Sequence, residues 1–155
     1  DWLQNHLWIL SGLYGCVRPF HGVEPYRLEM GAKLAVDNAR DLYAFWGNRL
    51  AQAIAPAGSD TTIVNLASVE YAKAVLPHAA QDTTVITCLF GEGVRNDKPV
   101  QRSTASKKAR GSMVRWMAEN KVEDAADLTE FNLGYRYVPE LSSPGTLVFI
   151  NEQML

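Results

Sequence analysis

The sequence has few of the residues that characterise metalloproteins and disulfide-bonded proteins. Its two cysteines, Cys16 and Cys88, lie in apolar contexts and lack the CxxC spacing of a redox or zinc motif. Free cysteines are usually buried, so Cys16 and Cys88 are expected to be reduced thiols in the core. Reduced thiols in turn favour a cytoplasmic protein. The three histidines, His6, His21 and His78, are scattered without metal-ligand spacing. We therefore expect no metal site and no cofactor.

Long apolar runs and a large net charge are also absent. No run approaches the roughly eighteen apolar residues of a membrane span, so no membrane partner is expected. With 155 residues, 47% hydrophobic residues and a formal net charge of −2, the chain has the composition of one ordinary globular domain. The chain starts at Asp1-Trp2, and apolar residues recur at helical spacing from Trp2 onward. This pattern predicts a fragment truncated at its N-terminus. No pattern indicates an oligomeric state.

Hydrophobic periodicity predicts a mixed α/β (α+β) fold. We expect a single compact domain over residues 1–155, in which helices flank a central sheet. Helices are predicted at residues 2–10, 40–55, 68–76, 105–119 and 127–131. Strands are predicted at residues 9–17, 26–30, 61–66, 83–90, 100–104, 135–139 and 147–150.

The most basic window lies between Arg95 and Arg115, where seven Lys/Arg residues accompany one acid. On the predicted helix, Lys107 and Lys108 lie close to Gly111, which leaves room for an anion to approach. The opposite face packs on the core through Met113, Trp116 and Met117, and Arg110 on the apolar side is expected to pair with a carboxylate. Two interpretations stay open, namely a phosphate-binding face and a solvated charged face.

Two further segments carry polar side chains that are candidates for a site. In an extended segment, Arg27 and Glu29 point to one face, where they either pair with each other or line a polar cleft. Asn65 and Ser68 stand where a predicted buried strand runs into a helix, a position that favours anion binding in α/β folds. Ser68 is the expected helix cap, and the cleft candidates that follow it in the helix are Tyr71 and Lys73.

Five motifs, in this order, resemble the YaaA peroxide-stress protein family. They are Leu10-Ser11-Gly12-Leu13-Tyr14-Gly15 through Arg18-Pro19, Pro25-Tyr26-Arg27-Leu28-Glu29-Met30-Gly31, Asp41-Leu42-Tyr43-Ala44-Phe45-Trp46, Asn65-Leu66-Ala67-Ser68-Val69-Glu70-Tyr71 and Lys107-Lys108-Ala109-Arg110-Gly111. The motifs span nearly the whole chain. The resemblance implies that the chain is the C-terminal part of a longer family chain with an additional N-terminal part.

The resemblance implies a bacterial cytoplasmic protein that limits free intracellular iron and oxidative DNA damage during peroxide stress. It also implies binding of DNA, or of another phosphate-bearing ligand, in a positively charged cleft. The cationic candidates are Arg18, Arg27, Lys73, Lys107, Lys108 and Arg115, and their polar partners are Glu29, Asn65, Ser68, Tyr71 and Arg110. The alternative is an enzyme acting on a nucleotide-like or phosphorylated small molecule, with Glu29 as acid or base.

Overall fold

The computed structural model describes all 155 residues, and the chain divides into two compact units. The first unit comprises residues 1–61 and 67–84, and the second comprises residues 62–66 and 85–155. Helices together with a mixed sheet confirm the α+β class. The single domain expected over residues 1–155 stays a prediction.

The first unit contains short helices and one β-hairpin. Its elements are α1 (Trp2–His6), β1 (Ile9–Ser11), β2 (Gly15–Val17), α2 (Leu42–Trp46), α3 (Arg49–Ile54) and α4 (Val69–Ala72). The core of this unit is a cluster of buried apolar side chains, supplied by Met30, Leu42, Leu50, Ala51, Ala74 and Val75. Most of these lie on or beside the helices, so the unit is held together mainly by helix and loop packing.

Four elements predicted for the first unit were wrong in extent. The helix expected over residues 2–10 ends at His6, and the helix expected over residues 68–76 ends at Ala72. The strand expected over residues 9–17 is a hairpin, because the chain turns after Ser11 and re-enters at Gly15 with a φ of +80°. The helix expected over residues 40–55 is interrupted at Gly47, whose φ of +54° is rarely adopted by other residues. Asp41 caps the first half by accepting a hydrogen bond from the Ala44 amide at 2.8 Å.

The second unit contains the sheet and the longest helix. Its elements are β3 (Thr62–Asn65), β4 (Thr84–Gly91), β5 (Val94–Arg95), β6 (Lys98–Pro99), α5 (Ser103–Glu119), β7 (Tyr135–Tyr137) and β8 (Thr146–Asn151). Four strands form a sheet in the order β3-β4-β8-β7, with β4 parallel and β7 antiparallel to β8. The interior strand β8 is almost wholly buried, whereas β3 lies at the edge and is half-buried rather than buried as predicted.

An aromatic cluster fills the core of the second unit. The Phe90 ring lies 5.4 Å from that of Phe149, 5.5 Å from that of Tyr135 and 5.9 Å from that of Phe131. Trp116 of α5 packs edge-on against Phe131 at 5.8 Å, so the helix is fixed to the sheet through this cluster. The strand predicted at residues 100–104 was wrong, because the chain turns earlier to form β5 and β6 and α5 begins at Ser103.

Both cysteines are free, as their contexts predicted. Cys88 on β4 is buried, and this burial raises the pKa of its thiol to about 12. Cys16 on β2 is half-buried, and burial raises the pKa of its thiol although Arg18 opposes the change. A raised pKa keeps the thiolate fraction low, which makes both thiols poor nucleophiles near neutral pH.

Candidate anion-binding surface

Helix α5 presents two lysines to solvent from a firmly packed base. Its buried side carries Ala109, Met113 and Trp116, which confirms Met113 and Trp116 of the predicted core face, whereas Met117 is half-buried. Lys107 and Lys108 are exposed, form no salt bridge and lie over no aromatic ring. Their ammonium groups are therefore free to bind an anion.

Gly111 lies one turn beyond Lys107 and faces open space. A Cβ added at this position meets no heavy atom within 4 Å, so packing does not require a glycine there. Glycine inside a helix costs about 1 kcal/mol relative to alanine. The bare backbone leaves an accessible surface beside the two lysines.

The two arginines of α5 are bound within the helix. Arg110 donates from its Nε to the Ser106 carbonyl at 3.1 Å, and burial lowers the pKa of its guanidinium. The carboxylate partner predicted for Arg110 was wrong, because its long side chain folds back to the turn before it. Arg115 is exposed and donates to Glu119 Oε1 at 2.7 Å, which raises the pKa of Arg115.

In the first unit, Arg18 and Lys73 lie against aromatic rings. The guanidinium carbon of Arg18 stands 3.8 Å from the centre of the Trp8 ring, and its Nη1 donates to the Leu7 carbonyl at 3.4 Å. The ammonium of Lys73 lies 4.8 Å from the centre of the Tyr43 ring. Such contacts stabilise the fold by about 0.5–1 kcal/mol at exposed sites and by more when they are desolvated. Both cations therefore have structural partners already.

The segment carrying Arg27 and Glu29 is extended but belongs to no strand, which corrects the prediction for residues 26–30. Its side chains alternate only in part, because Arg27 and Glu29 are exposed and Met30 is fully buried, whereas Tyr26 is exposed as well. Its backbone passes close to Gly12, because a Cβ on Gly12 would stand 2.7 Å from the Leu28 carbonyl oxygen. Of the two alternatives left open for Arg27 and Glu29, the ion pair between them does not form.

Both ends of this segment are fixed by hydrogen bonds. Tyr26 shares a short hydroxyl–hydroxyl hydrogen bond with the nearly buried Ser11. At the other end, the Gly31 amide donates to Glu70 Oε2 at 3.2 Å. Glu70 lies in the first turn of α4, so its carboxylate joins the segment to this helix. Arg27 and Glu29 are thus held between two anchored points.

The remaining polar candidates have largely structural surroundings. Ser68 caps α4 by accepting a hydrogen bond from the Tyr71 amide at 3.5 Å, which confirms the cap. The Tyr71 side chain packs against the first unit's core. Asn65 ends β3 and donates from Nδ2 to Thr87 Oγ1 at 3.2 Å. Trp116 is buried, as expected for the core face of α5, and is therefore unsuited to stacking on a base.

The candidates are divided between the two units. The first unit holds Arg18, Arg27, Glu29, Ser68, Tyr71 and Lys73, and the second holds Asn65, Lys107, Lys108, Arg110 and Arg115. Within the second unit, four of the five candidates lie on one helix, α5. The single cleft expected to unite all eleven residues stays a prediction.

Sequence reasoning missed a polar network beside the aromatic core. Glu92, the residue after β4, accepts hydrogen bonds from Tyr135 Oη and from Asn151 Nδ2, each at 2.9 Å. Burial, with the hydrogen bond to Glu92, raises the pKa of Tyr135 to about 12. These residues are far apart in the sequence, so local spacing carries no sign of the network.

No group of three or more His, Cys, Asp or Glu side chains is arranged to hold a metal ion. None of the helices combines the length and the apolar character that crossing a bilayer requires.

Comparison with known proteins places residues 1–141 in the family model described as peroxide stress protein YaaA. A UPF0246 protein of Pediococcus pentosaceus is 46% identical over 154 residues, covering 99% of this chain and 60% of the relative. A UPF0246 protein of Desulfitobacterium hafniense is 44% identical over 151 residues, covering 97% and 59%. One from Maricaulis maris is 45% identical over 157 residues, covering 99% and 59%. The chain thus spans about 60% of the length of these relatives.

Proposed function

Because the chain belongs to the YaaA family of peroxide stress proteins, we propose that it binds DNA through the exposed cationic face of α5. The observation that carries this proposal is the pair Lys107 and Lys108. They have no partner in the fold and stand beside the open backbone of Gly111. Phosphate contacts of this kind position a protein on DNA without reading its sequence.

The proposal predicts a steep dependence of DNA affinity on salt. Each phosphate that a lysine neutralises contributes about 0.9 to the slope of log K against log salt on duplex DNA. Replacing both lysines, as Lys107→Glu/Lys108→Glu, should reduce that slope by about 1.8 and weaken binding of every duplex sequence alike. Fluorescence anisotropy with two labelled duplexes of unrelated sequence, across a salt series, measures both quantities.

A matched control separates the face of α5 from net charge. Lys33→Glu/Arg136→Glu changes the formal charge by the same amount at two other exposed positions. The control should keep most of the wild-type salt slope. Binding that is insensitive to salt, or equal losses in the two double variants, would contradict the proposal.

We further propose that DNA binding serves the peroxide response by lowering oxidative damage, together with a reduction of free iron. The support is membership of a family named for peroxide stress. The test is complementation of a strain lacking its own family member with this protein, unchanged or carrying the Lys107→Glu/Lys108→Glu changes. Free iron measured by electron paramagnetic resonance should rise in the variant, along with DNA lesions after peroxide. If both stay at wild-type levels, the cationic face has no part in the response.

The enzymatic alternative, with Glu29 as acid or base, stays a prediction. Glu29 is exposed and held between the two anchors of its segment, which gives it a defined position. A Glu29→Gln variant that still protects cells from peroxide would argue against it, because the amide has no proton-transfer capacity.

A further inference from the structure

The β5–β6 hairpin is a small rigid projection of the second unit. Two backbone hydrogen bonds close its base, from the Glu92 amide to the Val100 carbonyl and from the Val100 amide to the Gly93 carbonyl, each at 2.8 Å. Two residues, Asn96 and Asp97, make its turn, with φ angles of 51° and 57°. Positive φ at both central positions matches the right-handed twist of a two-residue hairpin. All residues from 94 to 98 are exposed.

The base of the hairpin is firmly seated. The carboxylate of Glu92 is held by Tyr135 and Asn151, so the residue that begins the hairpin is tied to β7 and β8. Packing at Gly91 is equally tight, because an added Cβ would lie 2.7 Å from Ile150 Cδ1 and 2.8 Å from Pro99 Cβ. The exposed tip therefore stands on a base that cannot shift without disturbing the core.

The two cations of the hairpin are arranged unfavourably for the free protein. Arg95 and Lys98 are directly opposite each other in the antiparallel register, so their side chains leave the same face. Like charges at opposed positions destabilise a strand pair. Neither residue forms a salt bridge. The carboxylates nearest in sequence do not neutralise them, because Asp97 forms no salt bridge and Glu92 is bound at the base.

We propose that this hairpin is a second phosphate contact, in which Arg95 and Lys98 bind the backbone phosphates of duplex DNA. The inference rests on the proposed function and adds a second element, separate from the lysines of α5, to its ligand contacts. A phosphate between the two cations converts their mutual repulsion into attraction to a shared anion. The shape also fits, since a two-stranded ribbon is narrow enough to approach a major groove.

The salt dependence of binding tests the hairpin directly. Arg95→Glu/Lys98→Glu should lower the slope of log K against log salt by about 1.8, as two phosphate contacts are lost. The variant pair Lys33→Glu/Arg136→Glu again serves as the charge-matched control. Combining the hairpin and α5 substitutions should reduce the slope by the sum of the two separate losses, because distinct phosphates are involved.

A single substitution distinguishes a binding role from a structural one. Arg95→Glu places a carboxylate opposite Lys98, which relieves the repulsion and should raise the Tm of the free protein while DNA affinity falls. If Arg95 had only a structural role, Tm and DNA affinity would not change in opposite directions. If Tm rises and affinity is unchanged, Arg95 does not contact DNA.

The outcomes separate the two proposals. An unchanged slope in Arg95→Glu/Lys98→Glu, with a reduced slope in Lys107→Glu/Lys108→Glu, overturns the hairpin contact and leaves the proposed function standing. A loss in the charge-matched control as large as in the hairpin variant also overturns it. If the wild-type chain shows no salt-dependent binding of duplex DNA, the proposed function itself fails.

Discussion

Three cations of the first unit and four of the second differ in what holds them. In the first unit, Arg18, Arg49 and Lys73 each lie within 4.9 Å of the centre of an aromatic ring. Arg49 also donates to the Phe45 and Trp46 carbonyls. In the second unit, Lys107 and Lys108 on α5 and Arg95 and Lys98 on the hairpin have neither ring nor carboxylate.

This difference separates cations that stabilise the fold from cations available to a ligand. A cation over a ring is partly desolvated and already makes its favourable contact, so a phosphate must compete for it. A solvated cation without a partner loses only water and counterions when it binds. Availability, more than density of charge along the chain, is therefore the basis on which we propose α5 and the hairpin for anion binding.

The largest expected effect concerns the aromatic core of the second unit, against which α5 packs. Phe90→Ala removes the ring at the centre of the second unit's aromatic cluster, and such a truncation costs about 3–5 kcal/mol. Phe20→Ala is the matched control, since its side chain is 78% exposed and surface changes stay within about 0.5 kcal/mol. Urea unfolding measures both. A cost for Phe90→Ala near that of Phe20→Ala would contradict the view that this cluster holds α5 in place.

A second effect concerns the Glu92 network that seats the hairpin. The pKa of Tyr135 is raised to about 12 from its ordinary 10.0, so the folded state keeps the phenol proton where the unfolded state loses it. The stabilisation is complete below pH 10 and is lost as pH rises through 12. Between pH 10 and pH 12 the free energy of unfolding should therefore fall by about 1.4 kcal/mol per pH unit for this one proton.

Tyr135→Phe isolates this contribution. The variant should be less stable at neutral pH, because Glu92 loses a hydrogen bond, which costs about 1–3 kcal/mol for a buried partner. Its stability should then fall less steeply between pH 10 and 12 than that of the wild type. Cys88 titrates in the same window in both proteins, so it cancels in the difference. Parallel pH profiles would show that Tyr135 does not hold its proton.

A third prediction tests whether the cations that lie over aromatic rings stabilise the fold and do not bind DNA. Arg18→Gln should lower the free energy of unfolding by about 1 kcal/mol through loss of the contact with Trp8. The same change should leave the salt slope of DNA binding at the wild-type value. Anisotropy titrations beside urea unfolding provide both readouts, and a reduced slope would erase the distinction between the two units.

How well a feature was predicted from the sequence depends on whether the interactions that determine it are local or join residues far apart in the sequence. The long amphipathic α5, the Ser68 cap and the strands β4 and β8 were predicted because their signals are local. The hairpin at residues 9–17 and the break at Gly47 were missed, because both depend on the φ of a single glycine. The partners of Arg18, Glu70 and Glu92 depend on tertiary contacts that no spacing rule contains.

The smallest expected effect has the most direct bearing on the cationic face of α5. Gly111→Ala introduces a methyl group into open space within the helix, so it should stabilise the protein by about 0.5–1 kcal/mol. If a phosphate approaches the bare backbone beside Lys107 and Lys108, the same methyl group should weaken DNA binding through a clash. A rise in stability with a loss of affinity is therefore the signature of a ligand-facing glycine. A rise in stability with unchanged affinity would confine the ligand contacts to the side chains of the lysines.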